Sequence, residues 1–433
     1  MTTSQKNKIT HPNSEKVWQR AQNLVPCGTQ TLSKGPNMHA AGTYPKYLDR
    51  GEGAHVWDLD GHQYIDYPMA LGPVLLGYAY PETVKAVETQ MRKGICFSLM
   101  HPLEVEVAEL MRSVIPCAEM TRFSKTGSEA TSAAVRIARA YTGRNMIAHC
   151  GYHGWHDWHI VNTSYDGGIP TVMKEFIRSF EYNKIETLEK LFQDHKDKIA
   201  CVIMEPIGVI EPQPGFLQQV KDLAHKNGAL LIYDEIITGF RWSIGGAQKH
   251  FNVIPDLACF GKAMGNGVPI SAITGRAEYM KVCEKIFFST TFGGDCLGLA
   301  AAKSTIEFLK AKPVIEHIWK LGNELKNGVN QLAEKHGIGV RCIGQAPHTV
   351  LTYNDREGKH SNLHKTFVLQ ETIKRGILLG SGMFICYAHT AADITATLNA
   401  LDETFAMLKE FEQKGNLADQ LEGPLVRDVF RRA

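Results

Sequence analysis

The sequence predicts an α/β protein: a large domain built on a mostly parallel sheet, with a smaller α+β domain assembled from both ends of the chain. Three observations carry that expectation. From about residue 121 to 262, short apolar runs alternate with helical stretches, the pattern of right-handed βαβ units. Runs such as "IACVIM" and "ALLIY" are apolar throughout, as strands covered on both faces require. After about 312 the alternation stops and longer helices take over. The expected division is 1–75 as the N-terminal segment of the small domain, 76–311 as the large α/β domain, and 312–433 as the C-terminal part of the small domain.

Taken in order, residues 46–67 alternate apolar and polar positions around Asp60-Gly61, a two-residue hairpin signal. Residues 81–93 and 102–115 read as amphipathic helices, with Val105, Leu110 and Met111 among the apolar positions of the second. "TRFSKTGSEATSAAVRIARAYTG" follows as an apolar entry, a Thr-Gly-Ser turn and an alanine-rich helix, and then "NMIAHC" as a buried strand. "IACVIMEP", "FLQQVKDLAHKNG" and "ALLIYDE" give strand, helix and strand in succession. That helix has Leu217, Val220 and Leu223 on one face and Gly228 to end it. A helix over 314–336, a strand over 339–353, and helices near 365–375 and 391–413 complete the chain.

Composition narrows the function classes. With 44% apolar and 21% charged residues, the chain is of ordinary globular type, long enough for two or three domains. A formal charge of +2 gives no strong pull toward nucleic acid or an anionic membrane, and no apolar run is long enough for a membrane span. Ten cysteines without a single C-x-x-C pair read as reduced thiols of a cytoplasmic protein. The N-terminal residues are polar and lack the apolar stretch of a signal peptide.

The chemistry concentrates where the strands end. Asp234 closes "ALLIYDE", and Lys262 follows the apolar "DLACFG". In open α/β sheets ligands gather at the carboxyl ends of strands, so this carboxylate and this amine are expected in one cleft. There the amine loses basicity and becomes a nucleophile toward an aldehyde, while the carboxylate can hold a pyridine nitrogen protonated. On spacing alone the pair serves equally as a structural salt bridge. Gly127 and Ser128 open the helix of "KTGSEATS", where free backbone amides and the helix dipole favour an anion. A second hydroxyl-glycine loop, "STTFGGDCLG", offers Thr290 and Thr291. The histidines of "YHGWHDWH" (His153, His156, His159) lack a carboxylate or thiolate to complete a metal set. They are expected in a surface loop or helical turn, and no metal is expected.

The blocks "VWDLDGHQYIDY", "TGSEATSAAVRIARAYTGR", "GYHGW", "MEPIG", "YDEIITGFRWSIGGAQ" and "PDLACFGKAMGNGVP" resemble the class III pyridoxal-phosphate aminotransferases, and among them the glutamate-1-semialdehyde aminomutase branch. The resemblance implies fold type I, pyridoxal 5′-phosphate as cofactor, and a ping-pong exchange through aldimine and ketimine between a small-molecule amino donor and a carbonyl acceptor. It implies that Lys262 forms the Schiff base and shuttles the proton, and that Asp234 bonds the pyridine nitrogen. Ile236 and Tyr152 would take the two ring faces, and Gly127 and Ser128 the phosphate. Glu205, at the end of "CVIMEP", would face the substrate side. Thr291 would reach the phosphate of a neighbouring subunit, making a homodimer with shared active sites. The glycines around Lys262 are expected to leave room for cofactor and substrate.

The aminomutase pattern breaks at substrate-contacting positions. Where aminomutases have Ser-Pro-Val-Arg, this chain has "TLSK", placing Lys34 in the arginine's position, and a lysine lacks the planar fork for bidentate carboxylate binding. A tryptophan usual before "GP" is replaced in "MALGP", and "GILLGSGMFICYAHT" has no glutamate. Transamination is therefore expected, with intramolecular amino transfer as the alternative.

Overall fold

The computed structural model describes residues 9–427. Two units divide the chain: one gathers the sequence up to Leu71, Gly77–Ala79 and the sequence from His317 onward, and the other takes Gly72–Leu76 and Tyr80–Glu316.

The first unit opens with α1 (Pro12–Leu24) and the antiparallel strands β1 (Leu48–Glu52), β2 (His55–Asp58) and β3 (Gln63–Asp66). The turn at Asp60-Gly61 is present, but it is wider than a two-residue loop. Asp58 N–H donates to His62 O at 3.1 Å, and Gly61 takes the left-handed φ of +87° that a three-residue loop uses. The Asp58 carboxylate is the cause. Its Oδ1 accepts the backbone N–H of Asp60 and of His62, each at 2.9 Å, and so shapes the loop. Its Oδ2 meets Tyr64 OH at 2.9 Å and His11 Nδ1 at 3.0 Å, which ties the start of α1 to the hairpin.

The second unit begins with α2 (Pro81–Met91) and α3 (Leu103–Val114). The buried stripe of α3 is Leu103, Val107 and Met111, while Val105 is exposed. There follow β4 (Met120–Ser124), α4 (Gly127–Thr142), β5 (Met146–Cys150), α5 (Asp157–Ile160), β6 (Ile177–Ser179) and α6 (Ile185–Asp194). The run continues with β7 (Ile199–Met204), α7 (Phe216–Lys226), β8 (Leu230–Asp234), α8 (Gly246–His250), β9 (Leu257–Phe260), β10 (Ser271–Gly275), α9 (Ala277–Met280) and α10 (Cys296–Ala311).

Seven strands of this unit form one sheet in the order β4-β10-β9-β8-β7-β5-β6. The pairs from β6 through β9 are parallel, whereas β10 runs antiparallel to both β9 and β4. Every residue of β7, β8 and β9 is buried, which explains their unbroken apolar runs. Because β5, β7, β8 and β9 are parallel neighbours, their carboxyl ends lie along one edge. The result is a large mixed but mostly parallel sheet flanked by helices, the α/β class that the sequence predicts.

The chain returns to the first unit through α11 (Val314–His336). The stretch expected as one strand is a hairpin, β11 (Gly339–Gln345) against β12 (His348–Asn354), with strict alternation of burial along β12. α12 (Asn362–Ile373), β13 (Ile377–Leu378), β14 (Met383–Phe384) and α13 (Ala391–Lys414) follow. β13 extends the N-terminal ladder by pairing in parallel with β3. Among the described residues no helix is long and apolar enough to cross a membrane.

Just past β8, Glu235 is fully buried and ties the following segment together. It accepts from Thr238 Oγ1 (2.8 Å), Ala247 N (2.5 Å), Gln248 N (3.0 Å) and Gln248 Nε2 (3.1 Å). Glu235→Ala strands these donors in the interior, at about 1–3 kcal/mol for each group left unpaired. A fall in the denaturant midpoint worth at least about 3 kcal/mol is expected; an unchanged midpoint would refute the role.

Candidate active site

At the carboxyl edge of the large sheet, β5 leads to Tyr152 and His153, β7 to Glu205, β8 ends on Asp234, and β9 leads to Lys262. Asp234 is 5% exposed and fixed from two sides: its Oδ2 lies 2.9 Å from His153 Nδ1, and its Oδ1 accepts the Ile236 N–H at 3.1 Å. An ionised carboxylate only accepts, so His153 Nδ1 carries the proton of this bond. Each oxygen keeps a lone pair for a further donor.

Sequence reasoning missed His153 as a site residue. It placed the "YHGWHDWH" histidines in a surface loop or a helical turn; His159 does lie in the short helix α5, but His153 and His159 are buried at 2% and 3% exposure. His159 Nε2 accepts the His153 backbone N–H at 3.2 Å, and the rings of His149, His153 and His159 meet edge to face. Burial, with His153 close by, lowers the His149 imidazole to about 4 and that of His159 to about 3. Both rings are therefore neutral packing around the residue that holds Asp234. The one available signal was that His153 follows Tyr152 directly after a strand end.

Lys262 begins the turn after β9 with a left-handed φ of +41°, a conformation costly for a residue with a Cβ and concentrated at functional sites. Burial lowers the pKa of its amine, partly opposed by the nearby charges of Glu205 and Asp234. The glycines around it answer to the protein's own packing more than to open space. A Cβ on Gly261 would lie 3.2 Å from Ile236, and one on Gly265 would lie 2.9 Å from Ile270. Glu205 accepts the Tyr152 N–H at 3.1 Å, and burial followed by repulsion from Asp234 raises its carboxyl pKa.

The start of α4 has the geometry to hold an anion. Thr126 and Glu129 form a capping box that satisfies the N–H groups of Lys125, Thr126 and Glu129. The amides of Gly127 and Ser128 have no acceptor among the described residues. Ser128 Oγ accepts the Trp155 N–H at 3.2 Å, which leaves its own hydrogen to donate. Ile236 packs against Gly127, where an added Cβ would meet it at 3.2 Å, and so links the anion site to the Asp234 strand end. Tyr152 is half exposed and stands edge-on to the His159 ring at 5.5 Å. Thr291 is exposed in the loop before α10, outside this cluster.

The donor set fits pyridoxal phosphate on its own chemistry. Unpaired helix-end amides and a hydroxyl suit a phosphate, a fixed buried carboxylate suits a pyridinium, and an amine of lowered basicity suits an aldehyde.

Residues 38–409 match the family described as "Aminotransferase class-III". The chain is 38% identical over 414 residues to 3-aminobutyryl-CoA aminotransferase of Cloacimonas acidaminovorans, covering 93% of this chain and 99% of that protein. It is 35% identical over 422 residues to glutamate-1-semialdehyde 2,1-aminomutase 2 of Lachnoclostridium phytofermentans, covering 90% and 98%. Among solved structures it is similar to the PLP internal aldimine form of the Sphingopyxis sp. MTA144 FumI protein, with TM-score 0.87, 28% identity and coverage of 92% and 97%. An omega-transaminase from Sphaerobacter thermophilus gives TM-score 0.84 and 26% identity over 92% and 98%.

The buried histidines predict acid sensitivity. A group whose folded pKa lies below its unfolded value leaves the unfolded chain binding more protons, so stability falls as pH drops below about 6.5. For His159, held near 3, the loss between pH 6.5 and pH 5 is about 2 kcal/mol. His159→Gln keeps an acceptor for the His153 N–H and removes the titration. Its stability, from denaturant titrations, should change less over that range than the wild type's; an equal change would contradict the assignment.

Proposed function

The chain belongs to the class-III aminotransferase family, and we propose that it takes its amino group from a β-amino acyl thioester of the 3-aminobutyryl-CoA kind and delivers it to a carbonyl acceptor. Amino transfer is its activity and pyridoxal phosphate its cofactor. When bound, that cofactor withdraws electrons from the carbon bearing the substrate nitrogen, so that a C–H proton there becomes removable.

The observation that carries the catalytic part is the strand-end cluster: Asp234 held by His153, and Lys262 with its amine pKa lowered by burial. Lys262 would hold the cofactor covalently. Displaced by the incoming amine, its neutral Nζ would take the proton from the carbon bearing nitrogen and return it elsewhere. Asp234 would keep the ring nitrogen protonated, with His153 and Ile236 N–H preventing the carboxylate from turning. The Gly127 and Ser128 amides would bind the phosphate, Ile236 and Tyr152 would flank the ring, and Glu205 would face the substrate. Thr291, exposed on its loop, would serve the phosphate of a second copy, which makes the active form a homodimer with shared sites. Ten unpaired cysteines support a reducing, cytoplasmic setting.

Support for the thioester is the 38% identity that runs through nearly the whole of both chains. Intramolecular amino transfer has less support: Lys34 stands where the aminomutases' arginine would be, and "GILLGSGMF" lacks their glutamate.

Varying 3-aminobutyryl-CoA at several fixed concentrations of a 2-oxo acid found to accept the amino group should give parallel double-reciprocal lines. Intersecting lines, or isomerisation of one amino aldehyde without an external donor, would contradict amino transfer by two half-reactions. Lys262→Ala should fold normally and lose turnover on the order of 10⁴-fold or more; near-normal turnover would remove its role.

A further inference from the structure

Three metal-ligating side chains meet within the first unit and take no part in the chemistry described above. His11 precedes α1, Asp58 ends β2, and His62 lies in the turn before β3. His11 Nδ1, His62 Nδ1 and an Asp58 carboxylate oxygen lie within 4.8 Å of one another. The two rings stand nearly at right angles, at 86°, and both bring Nδ1 to Asp58 Oδ2, at 3.0 and 2.9 Å. The side chains of His11 and Asp58 are 8% and 0% exposed, while that of His62 reaches the surface at 37%.

A count of protons shows that hydrogen bonds between neutral rings and the carboxylate do not complete this cluster. Asp58 Oδ1 accepts the backbone N–H of Asp60 and of His62, each at 2.9 Å, and Oδ2 accepts from Tyr64 OH at 2.9 Å. With the two imidazoles, five groups face the roughly four lone pairs of an ionised carboxylate. His11 is the surplus group. Its Nε2 lies 2.9 Å from the Thr43 carbonyl, which can only accept, so Nε2 carries the hydrogen. A neutral imidazole has one N–H, and His11 Nδ1 is therefore a bare lone pair 3.0 Å from a carboxylate oxygen. Two lone pairs that close repel unless a cation joins them.

The same contacts suit a metal ion. Ligand atoms about 2.1 Å from one ion and at right angles to each other are about 3.0 Å apart, the separation of each Nδ1 from Oδ2. A metal-bound imidazole donates its other N–H to a carbonyl or carboxylate, and a ligating carboxylate is itself hydrogen-bonded. His11 meets the first condition through Thr43, and Asp58 meets the second through the amides of Asp60 and His62. Two imidazoles and one carboxylate favour Zn²⁺ over Mg²⁺ or Ca²⁺, and the exposed edge of His62 gives ion and water a way in.

We propose that His11 Nδ1, His62 Nδ1 and Asp58 Oδ2 bind one Zn²⁺, completed by water, which clasps the chain before α1 to the β2–β3 turn. Asp60 accepts the N–H of Asn13 and of Ser14 at 3.1 and 3.4 Å, so the ion closes a junction whose two sides are already aligned.

Calorimetric titration of the chelator-treated holoenzyme with Zn²⁺ tests it, with thermal melting as a second readout. The wild type should take up one tight equivalent per chain and melt higher in Zn²⁺ than in chelator. His11→Gln keeps a donor for the Thr43 carbonyl but has no Nδ1, and His62→Ala removes the ligand at the exposed rim. Each should weaken binding at least about 100-fold and lose the zinc-dependent rise in melting. Both are first checked for wild-type helix content in chelator, and His62→Ala alone decides if His11→Gln misfolds. A wild type that binds no Zn²⁺ would leave the cluster to a second proton on His11 and overturn the proposal. Wild-type affinity in either folded variant would put the ion on other residues and overturn it as well.

Discussion

A carboxylate buried at the end of a central strand is unstable unless its orientation and its charge are both provided for. Asp234 meets the first condition through His153 Nδ1 at 2.9 Å and the Ile236 N–H at 3.1 Å. The second would fall to the amine of Lys262 and to the ring of a bound cofactor, because His149 and His159 are neutral where they pack around His153. Much of the edge follows from this requirement. The parallel order β5-β7-β8-β9 aligns the four strand ends, and Glu235, one residue on, fastens the chain that leaves Asp234. The same wedge of Ile236 fills the spaces left by Gly127 and Gly261, so the anion site and the lysine are set against one side chain.

The proposed catalytic residues and the stretches that leave the aminomutase pattern fall in different parts of the chain. Asp234, His153, Lys262, Glu205 and the start of α4 all belong to the second unit. The stretches that depart from the aminomutase pattern belong to the first, apart from the "GP" of "MALGP".

Much of this was legible in the sequence for a physical reason. Strands covered on both faces must be apolar throughout, so a polar residue at the end of such a run stands out, as Glu205, Asp234 and Lys262 do. Helices α11 and α13 announced themselves by length and period. Other features depend on contacts between residues far apart. His153 looks like a loop histidine until β8 brings Asp234 beside it, 81 positions away. The antiparallel β10 has the same composition as a parallel strand, and the β11–β12 hairpin turns without an Asn-Gly or Asp-Gly signal. Asp60-Gly61 did mark a turn, but its width was set by the Asp58 side chain, which a dipeptide signal does not contain.

The central claim is that the side chain at 262 and the cofactor aldehyde are joined in the resting enzyme. Borohydride reduction of the yellow holoenzyme, followed by proteolysis and mass spectrometry, tests it most directly. The account predicts one stable adduct of pyridoxal phosphate, on the peptide that contains Lys262, and none on the exposed lysines. A colourless protein, or an adduct on any other lysine, would contradict it.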